Sequence, residues 1–101
     1  MNDTIKTPKL SALVVAHNEE SDLDACLASL AFADELVVVL DRCTDGSLDI
    51  ARAHNARIEE GAWEIEGHRR NLGIEICSGG WILEVDADER VSPALASEIR
   101  E

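Results

Sequence analysis

Apolar residues fall along this chain in short blocks, and the spacing inside the blocks alternates between two periods. Leu10 to Ala16 and Glu35 to Leu40 are nearly continuous apolar runs with little alternation. Strands buried on both faces of a parallel sheet read this way. Trp81 to Val85, preceded by Gly79-Gly80 and followed by a charge cluster, reads as another strand. Ala56 to Glu60 has one strong apolar residue, Ile58, and is a weak strand expected at the sheet edge. Between these blocks the spacing turns helical. Leu23, Cys26, Leu27 and Leu30 form one stripe, Ile50, Ala51 and His54 a second, and Leu72, Gly73 and Ile76 a third, in a helix from about His68 to Cys77.

The helix ends are marked as well. Ser21 with Asp24 resembles a capping box, Ser47 is placed to cap the second helix, and Asn55 suits a left-handed C-cap. Ser92-Pro93 opens a last helix, as cap followed by proline. The order β-α-β-α-β-α-β-α predicts an α/β fold. It is a three-layer, Rossmann-like parallel sheet of about four strands with helices on both faces. Residues 1–9 read as a polar tail and residues 10–101 as one half-domain. Trp81, at the start of a buried strand, reads as core; Trp63 reads as loop packing or as a shield over a ligand.

Composition narrows the function classes. The chain has 101 residues, enough for one core and small for an enzyme that grips two substrates. Its net charge of −12 leaves no electrostatic footprint for DNA, RNA or anionic lipid. Aromatics are limited to Trp63, Trp81 and Phe32, poor material for stacking bases. No nucleic-acid partner is expected. Cys26, Cys43 and Cys77 are odd in number and too widely spaced for a zinc cluster, and read as reduced thiols. The longest apolar run, Leu36 to Leu40, is too short to span a membrane. Met1 to Lys9 carries no signal-peptide pattern, so a cytoplasmic location is expected.

Three loops leave the C-terminal ends of the three best strands: His17-Asn18-Glu19-Glu20, Asp41-Arg42-Cys43-Thr44-Asp45 and Asp86-Ala87-Asp88. A parallel sheet brings them to one rim, where ligands of open α/β sheets bind. Asp86 and Asp88 repel one another unless a cation joins them. Their hard oxygens suit Mg²⁺ or Mn²⁺, which commonly bind through one or two carboxylates plus phosphate oxygens. Asp41 suits a nucleobase imide or a ribose hydroxyl. Arg69 and Arg70 are within reach of phosphates, and helix starts at Ser21 and Ser47 would add positive dipole ends. No Gly-x-x-x-x-Gly-Lys-Ser and no Gly-x-Gly-x-x-Gly occurs, against a P-loop or dinucleotide fold.

Four segments, Leu13 to Glu20, Val38 to Ser47, Arg70 to Gly73 and Gly80 to Arg90, together resemble family-2 glycosyltransferases of the GT-A fold. The subgroup most similar is the bacterial transferases of lipopolysaccharide core and related cell-surface glycans. The resemblance implies a nucleotide-diphospho-sugar donor, with UDP the usual nucleotide. It makes Ala16, His17, Asn18 and Glu19 the loop against the nucleoside and Asp41 the base contact. Arg70 would face the diphosphate, Asp86 the ribose or metal, and Asp88 the metal. Family members often have Asp-Asp-Gly-Ser where this chain has Leu40-Asp41-Arg42-Cys43, so the small glycine becomes Arg42.

In that family the acceptor site and catalytic base follow the metal motif, so this chain reads as the donor-binding half, without an assigned catalytic residue. Peripheral membrane association would come through the other half. A homodimer is expected at the Trp81–Val85 edge, which should be interior in the whole fold. Two other readings stay open. One is a non-catalytic nucleotide-binding or assembly module. The other is a haloacid-dehalogenase-like phosphatase, which also places Asp-x-Asp after an apolar strand.

Overall fold

A computed structural model describes residues 9–100; the polar tail lies outside the described residues, apart from Lys9. The chain runs β1 (Leu10–Ala16), α1 (Glu20–Ser29), β2 (Glu35–Asp41), α2 (Ser47–Ala53), β3 (Arg57–Gly61), α3 (Glu66–Ile76), β4 (Trp81–Asp86) and α4 (Pro93–Arg100). The four strands form one sheet in the order β3-β2-β1-β4, and every pairing is parallel. The two continuous apolar runs occupy the two central places, as strands covered on both faces must. The weak strand β3 takes one edge.

The pleat sends alternate residues to two cores. On one face Ala12, Val14, Ala16, Val38 and Leu40 pack with Leu23, Cys26, Leu27 and Leu30 and with Ala51 of α2. On the other, Leu13, Val37 and Val39 pack with Val15, Trp63, Ile76 and Cys77. Gly73 lets α3 lie close on this second face. A Cβ there would stand 2.6 Å from Leu13 Cδ1 and 3.1 Å from Val39 Cγ2. The chain steps from β1 to β2 to β3 over the first face, then returns over the second face to place β4 on the far side of β1. Right-handed crossovers require that change of face when the direction of stepping reverses. The reversal makes the C-terminal ends of β1 and β4 a topological switch point, the place where such sheets open a crevice.

Three expectations need correction. Ser21 lies inside α1 and does not cap it; the N-cap position is Glu19, with no side-chain cap bond. A missing cap costs about 1 kcal/mol, whereas burying Leu23 and Leu27 stabilises by roughly 1.5–3 kcal/mol each, so docking decides where α1 forms. Ser47 does not cap α2 either, since it is already the helix's first residue. β4 pairs only with β1 among the described residues, so its second edge is unpaired, as the sequence of this chain leads one to expect. Trp81, at the start of that edge, is 66% exposed and not core. The expected C-cap is present: Asn55 has φ 58. Ser92 Oγ accepts the Leu95 N–H at 3.1 Å, capping α4 as its sequence indicates. Among the described residues no helix is long and apolar enough to cross a membrane.

Candidate functional site

The loop after β1 is built onto the loop after β2. Asn18 adopts φ 53, a left-handed conformation that asparagine tolerates because its short side chain bonds locally. Here Asn18 Oδ1 accepts the N–H groups of Thr44 (2.7 Å) and Asp45 (3.2 Å), while the Asn18 N–H donates to Cys43 Sγ at 3.3 Å. Asp45 completes the lock: its carboxylate accepts the Glu20 N–H at 3.1 Å and the Ser47 N–H at 3.0 Å. Burial would push the Asp45 carboxyl up, but these amide and hydroxyl bonds outweigh it and hold it below the usual range. The N-termini of α1 and α2 therefore both spend amides on Asp45. The amides held are those of Glu20 and Ser47, one from each helix.

His17 is exposed, and its Nδ1 lies 2.7 Å from the Asp41 carbonyl oxygen. A carbonyl only accepts, so Nδ1 carries the proton in this bond. Ala16 is buried, and its carbonyl accepts from the Cys43 thiol at 3.5 Å. Glu19 is half-buried and donates its N–H to Ser47 Oγ at 3.2 Å.

Asp41, the last residue of β2, is wholly buried. Its Oδ1 accepts from Arg42 Nε at 2.9 Å and the Trp63 N–H at 3.1 Å. Its Oδ2 accepts from Arg69 Nη1 at 2.6 Å and Arg42 Nη2 at 3.2 Å. Burial alone would raise this carboxyl. The Arg69 guanidinium, the Trp63 amide and Arg42 outweigh it and hold it below its usual range. Sequence placed Asp41 at this corner. It gave no sign of the Trp63 amide, or of Arg69 turning to Asp41 rather than to a phosphate.

Across the end of β1, Asp86 and Asp88 flank the buried Ala87, which is 4% exposed, and both are exposed. Burying Val85 and Ala87 leaves the two alternate aspartates on the outside. Glu89 fixes the turn, with its Oε1 accepting the Asp86 N–H at 2.8 Å and its own N–H donating to the Asp86 carbonyl at 2.9 Å. Arg90 Nη2 ties the loop to Asp22 of α1 at 3.2 Å. Neither Glu89 nor Arg90 was singled out by sequence for this role. Arg70 ion-pairs with Glu84, two residues before Asp86 on the same face of β4.

Asp41 and Asp86 belong to strands on either side of β1, and Val15 pairs with Val39 and Asp86, so Asp41 lies two residues farther along and about 12 Å away at ordinary strand spacings. Among the described residues neither the Asp86 nor the Asp88 carboxylate has a hydrogen-bond or ion-pair partner. No group of three or more His, Cys, Asp or Glu is assembled for a metal there. Such a pair fits Mg²⁺ or Mn²⁺ carried in by phosphate oxygens, not a zinc or calcium cage. The cysteines stand outside this chemistry: all three are unpaired, and burial pushes the Cys26 thiol up to about 11 and raises Cys43 and Cys77. A cleft of about 470 Å³ lies at the opposite end of the sheet among Leu30, Asp34, Leu36, His54, Asn55 and Arg57. It contains none of the rim residues.

Comparison with known proteins bears on this rim. The sequence model described as glycosyl transferase family 2 matches residues 11–100. The lipopolysaccharide core biosynthesis glycosyltransferase LpsC of Rhizobium meliloti (strain 1021) is 32% identical over 91 residues, covering 85% of this chain and 34% of LpsC. S. aureus TarS (1–349), solved in complex with UDP-GlcNAc, superposes with a TM-score of 0.75 at 27% identity. The match covers 91% of this chain and 30% of TarS. The mannosyltransferase PcManGT from Pyrobaculum calidifontis, in complex with GDP-Man and Mn²⁺, has the same fold, with a TM-score of 0.77 at 21% identity over 92% of this chain and 31% of its own. The chain spans about a third of the length of the curated relatives it matches.

Proposed function

The chain belongs to glycosyltransferase family 2, and from that footing we propose that it holds the nucleoside-diphosphate end of a UDP-sugar through a divalent metal on Asp86 and Asp88. The transfer it serves is glycan assembly for the cell surface, a reading supported by the likeness to LpsC. One observation carries the donor site: two exposed, unpartnered aspartates flank a buried alanine at the switch point of the sheet. Ala16, His17, Asn18 and Glu19 form the wall against the nucleoside. The base falls against the Asp41–Arg42 corner. Arg70, on the same face as Asp86, turns from Glu84 toward the diphosphate. Asp86 faces ribose or metal, and Asp88 the metal. When bound, Mg²⁺ or Mn²⁺ would neutralise charge on the diphosphate leaving group.

Calorimetric titration with UDP tests this reading. Binding with Mn²⁺ should weaken strongly in EDTA, and Asp88→Asn should erase the difference. Equal affinity with and without metal would sink the assignment.

A binding-only reading has its own support. The rim aspartates are committed: Asp41 to arginines, Asp45 to helix amides, Asp86 and Asp88 to the metal. None is left as a general base, a group that contributes roughly 10²–10⁴-fold in rate. The 101-residue chain alone should bind donor and release UDP only slowly by hydrolysis. Turnover near one per second in a UDP-release assay would overturn this.

A further inference from the structure

The turn that carries Asp86 and Asp88 lies along α1 and is fastened to it at three places. The Cys26 thiol, fully buried, donates to the Asp86 carbonyl at 3.5 Å. At the far end the Val91 N–H donates to Ser29 Oγ at 3.0 Å. Between them Arg90 Nη1 donates to the Glu89 carbonyl at 3.1 Å and the Ala87 carbonyl at 3.5 Å, while its Nη2 holds Asp22 at 3.2 Å. One guanidinium therefore closes the turn on itself and ties it to the first turn of the helix. α1 is a firm anchor, since Leu23, Cys26 and Leu27 are buried and Asp45 accepts the Glu20 N–H. The fold itself does not depend on the Asp22–Arg90 pair. Its side chains are 44% and 39% exposed, and ion pairs that exposed add little stability. What the pair decides is where the Arg90 charge goes. For an arginine two residues from Asp88, the carboxylates of its own turn are the alternative partners. Asp22 occupies it instead, and Asp86 and Asp88 have no partner among the described residues.

We propose that Asp22 and Arg90 are the positioning pair of the metal site. Asp22 draws Arg90 away from Asp86 and Asp88, and Arg90 fixes the turn so that both carboxylates stay free for a cation. This rests on reading the rim as a metal-dependent nucleoside-diphosphate site, and neither residue touches the ligand. The sign of one effect separates this role from a general effect of charge. UDP is an anion and the chain carries −12, so by charge alone removing the Asp22 carboxylate would tighten UDP binding. Under the proposal the same change weakens it. The released guanidinium competes with the metal for Asp86 and Asp88, and the turn is no longer held to α1. If Asp22 served only as an acid favoured in a helix first turn, its loss would alter stability and leave metal dependence alone.

The test is calorimetric titration of UDP in Mn²⁺ and in EDTA. The proteins are wild type, Asp22→Ala, Asp22→Glu, Arg90→Ala and the Asp22→Ala/Arg90→Ala double variant. In Mn²⁺, UDP affinity should fall about fivefold in Asp22→Ala and in Arg90→Ala, the upper end for an ion pair of this exposure. The double variant should lose no more than Arg90→Ala alone. Asp22→Glu, which keeps a carboxylate on α1, should recover most of the loss. In EDTA all variants should stay within about twofold of wild type, because exposed charges are screened by salt. Unchanged or tighter binding by Asp22→Ala in Mn²⁺ would overturn the proposal. So would an equal loss in EDTA, which would make the pair a general support of the rim, or a further loss in the double variant. If wild type bound UDP no better in Mn²⁺ than in EDTA, the metal-site reading itself would fall, and this one with it.

Discussion

Left-handed backbone at Asn18, Arg42 and Asn55 illustrates what single residues can and cannot announce. Asn55 was legible because asparagine after a helical stripe is a known stop. The conformation of Arg42 was not, because nothing about arginine asks for positive φ; only the glycine usual at that place in similar sequences hinted at it. Gly73 was legible as a small residue in a stripe, but its neighbours were not. Gly73→Ala drives a Cβ against Leu13, which is fully buried and has no room to give. Overpacking costs about 1–3 kcal/mol, and alanine's helix preference returns up to about 1 kcal/mol. A net loss near 1 kcal/mol in urea unfolding is expected; an unchanged midpoint would contradict the packing of α3. Asp41 gives a pH prediction. Its folded pKa is depressed below 3.8, so its stabilisation is present above 3.8 and is lost as pH falls through the folded value. Asp41→Asn should destabilise at neutral pH, and its gap from wild type should close below 3.8. A gap that stays constant down to pH 2 would show that the carboxyl is not held by its partners.

At the scale of elements, strands read better than helix starts. Continuous apolar runs left β1 and β2 no place except the sheet centre, and the lone Ile58 left β3 the edge. The N-termini of α1 and α2 went unread, because Asp45 serves both and one of its partners, Glu20, lies 25 residues away in sequence. Local capping rules look three residues ahead, and a carboxylate that bridges two loops lies outside their range. The site was divided in the same way. Asp86-Ala87-Asp88 was plain because strand period and chemistry coincide, whereas the cluster of Asp41, Arg69 and Trp63 depends on how α3 and its preceding loop fold back. Asn18→Gly keeps the left-handed backbone and removes the acceptor for two amides. It should cost about 1 kcal/mol and speed hydrogen exchange at Thr44 and Asp45. Exchange unchanged at both would mean the loops hold without Asn18.

Over the whole molecule, the −12 charge and the exposed edge of β4 pull against each other. Trp81 and Ile82 are 66% and 39% exposed beside a strand edge unpaired among the described residues, a template for pairing. The expectation of a twofold pair there remains a proposal. Light scattering should show concentration-dependent dimers that Trp81→Asp removes, and a strict monomer in the micromolar range would contradict it.

We propose that the metal and nucleotide sit at the end of β1 and β4, not in the cleft at the other end of the sheet. Paramagnetic broadening of amide signals by Mn²⁺ in the presence of UDP reads that place directly. The broadening should centre on Asp86, Ala87, Asp88 and Glu89 and fade along Val15 to Asn18, while Ala31, Leu36, His54 and Arg57 stay sharp. Broadening centred on those last four residues, with Asp86 to Glu89 unaffected, would contradict it.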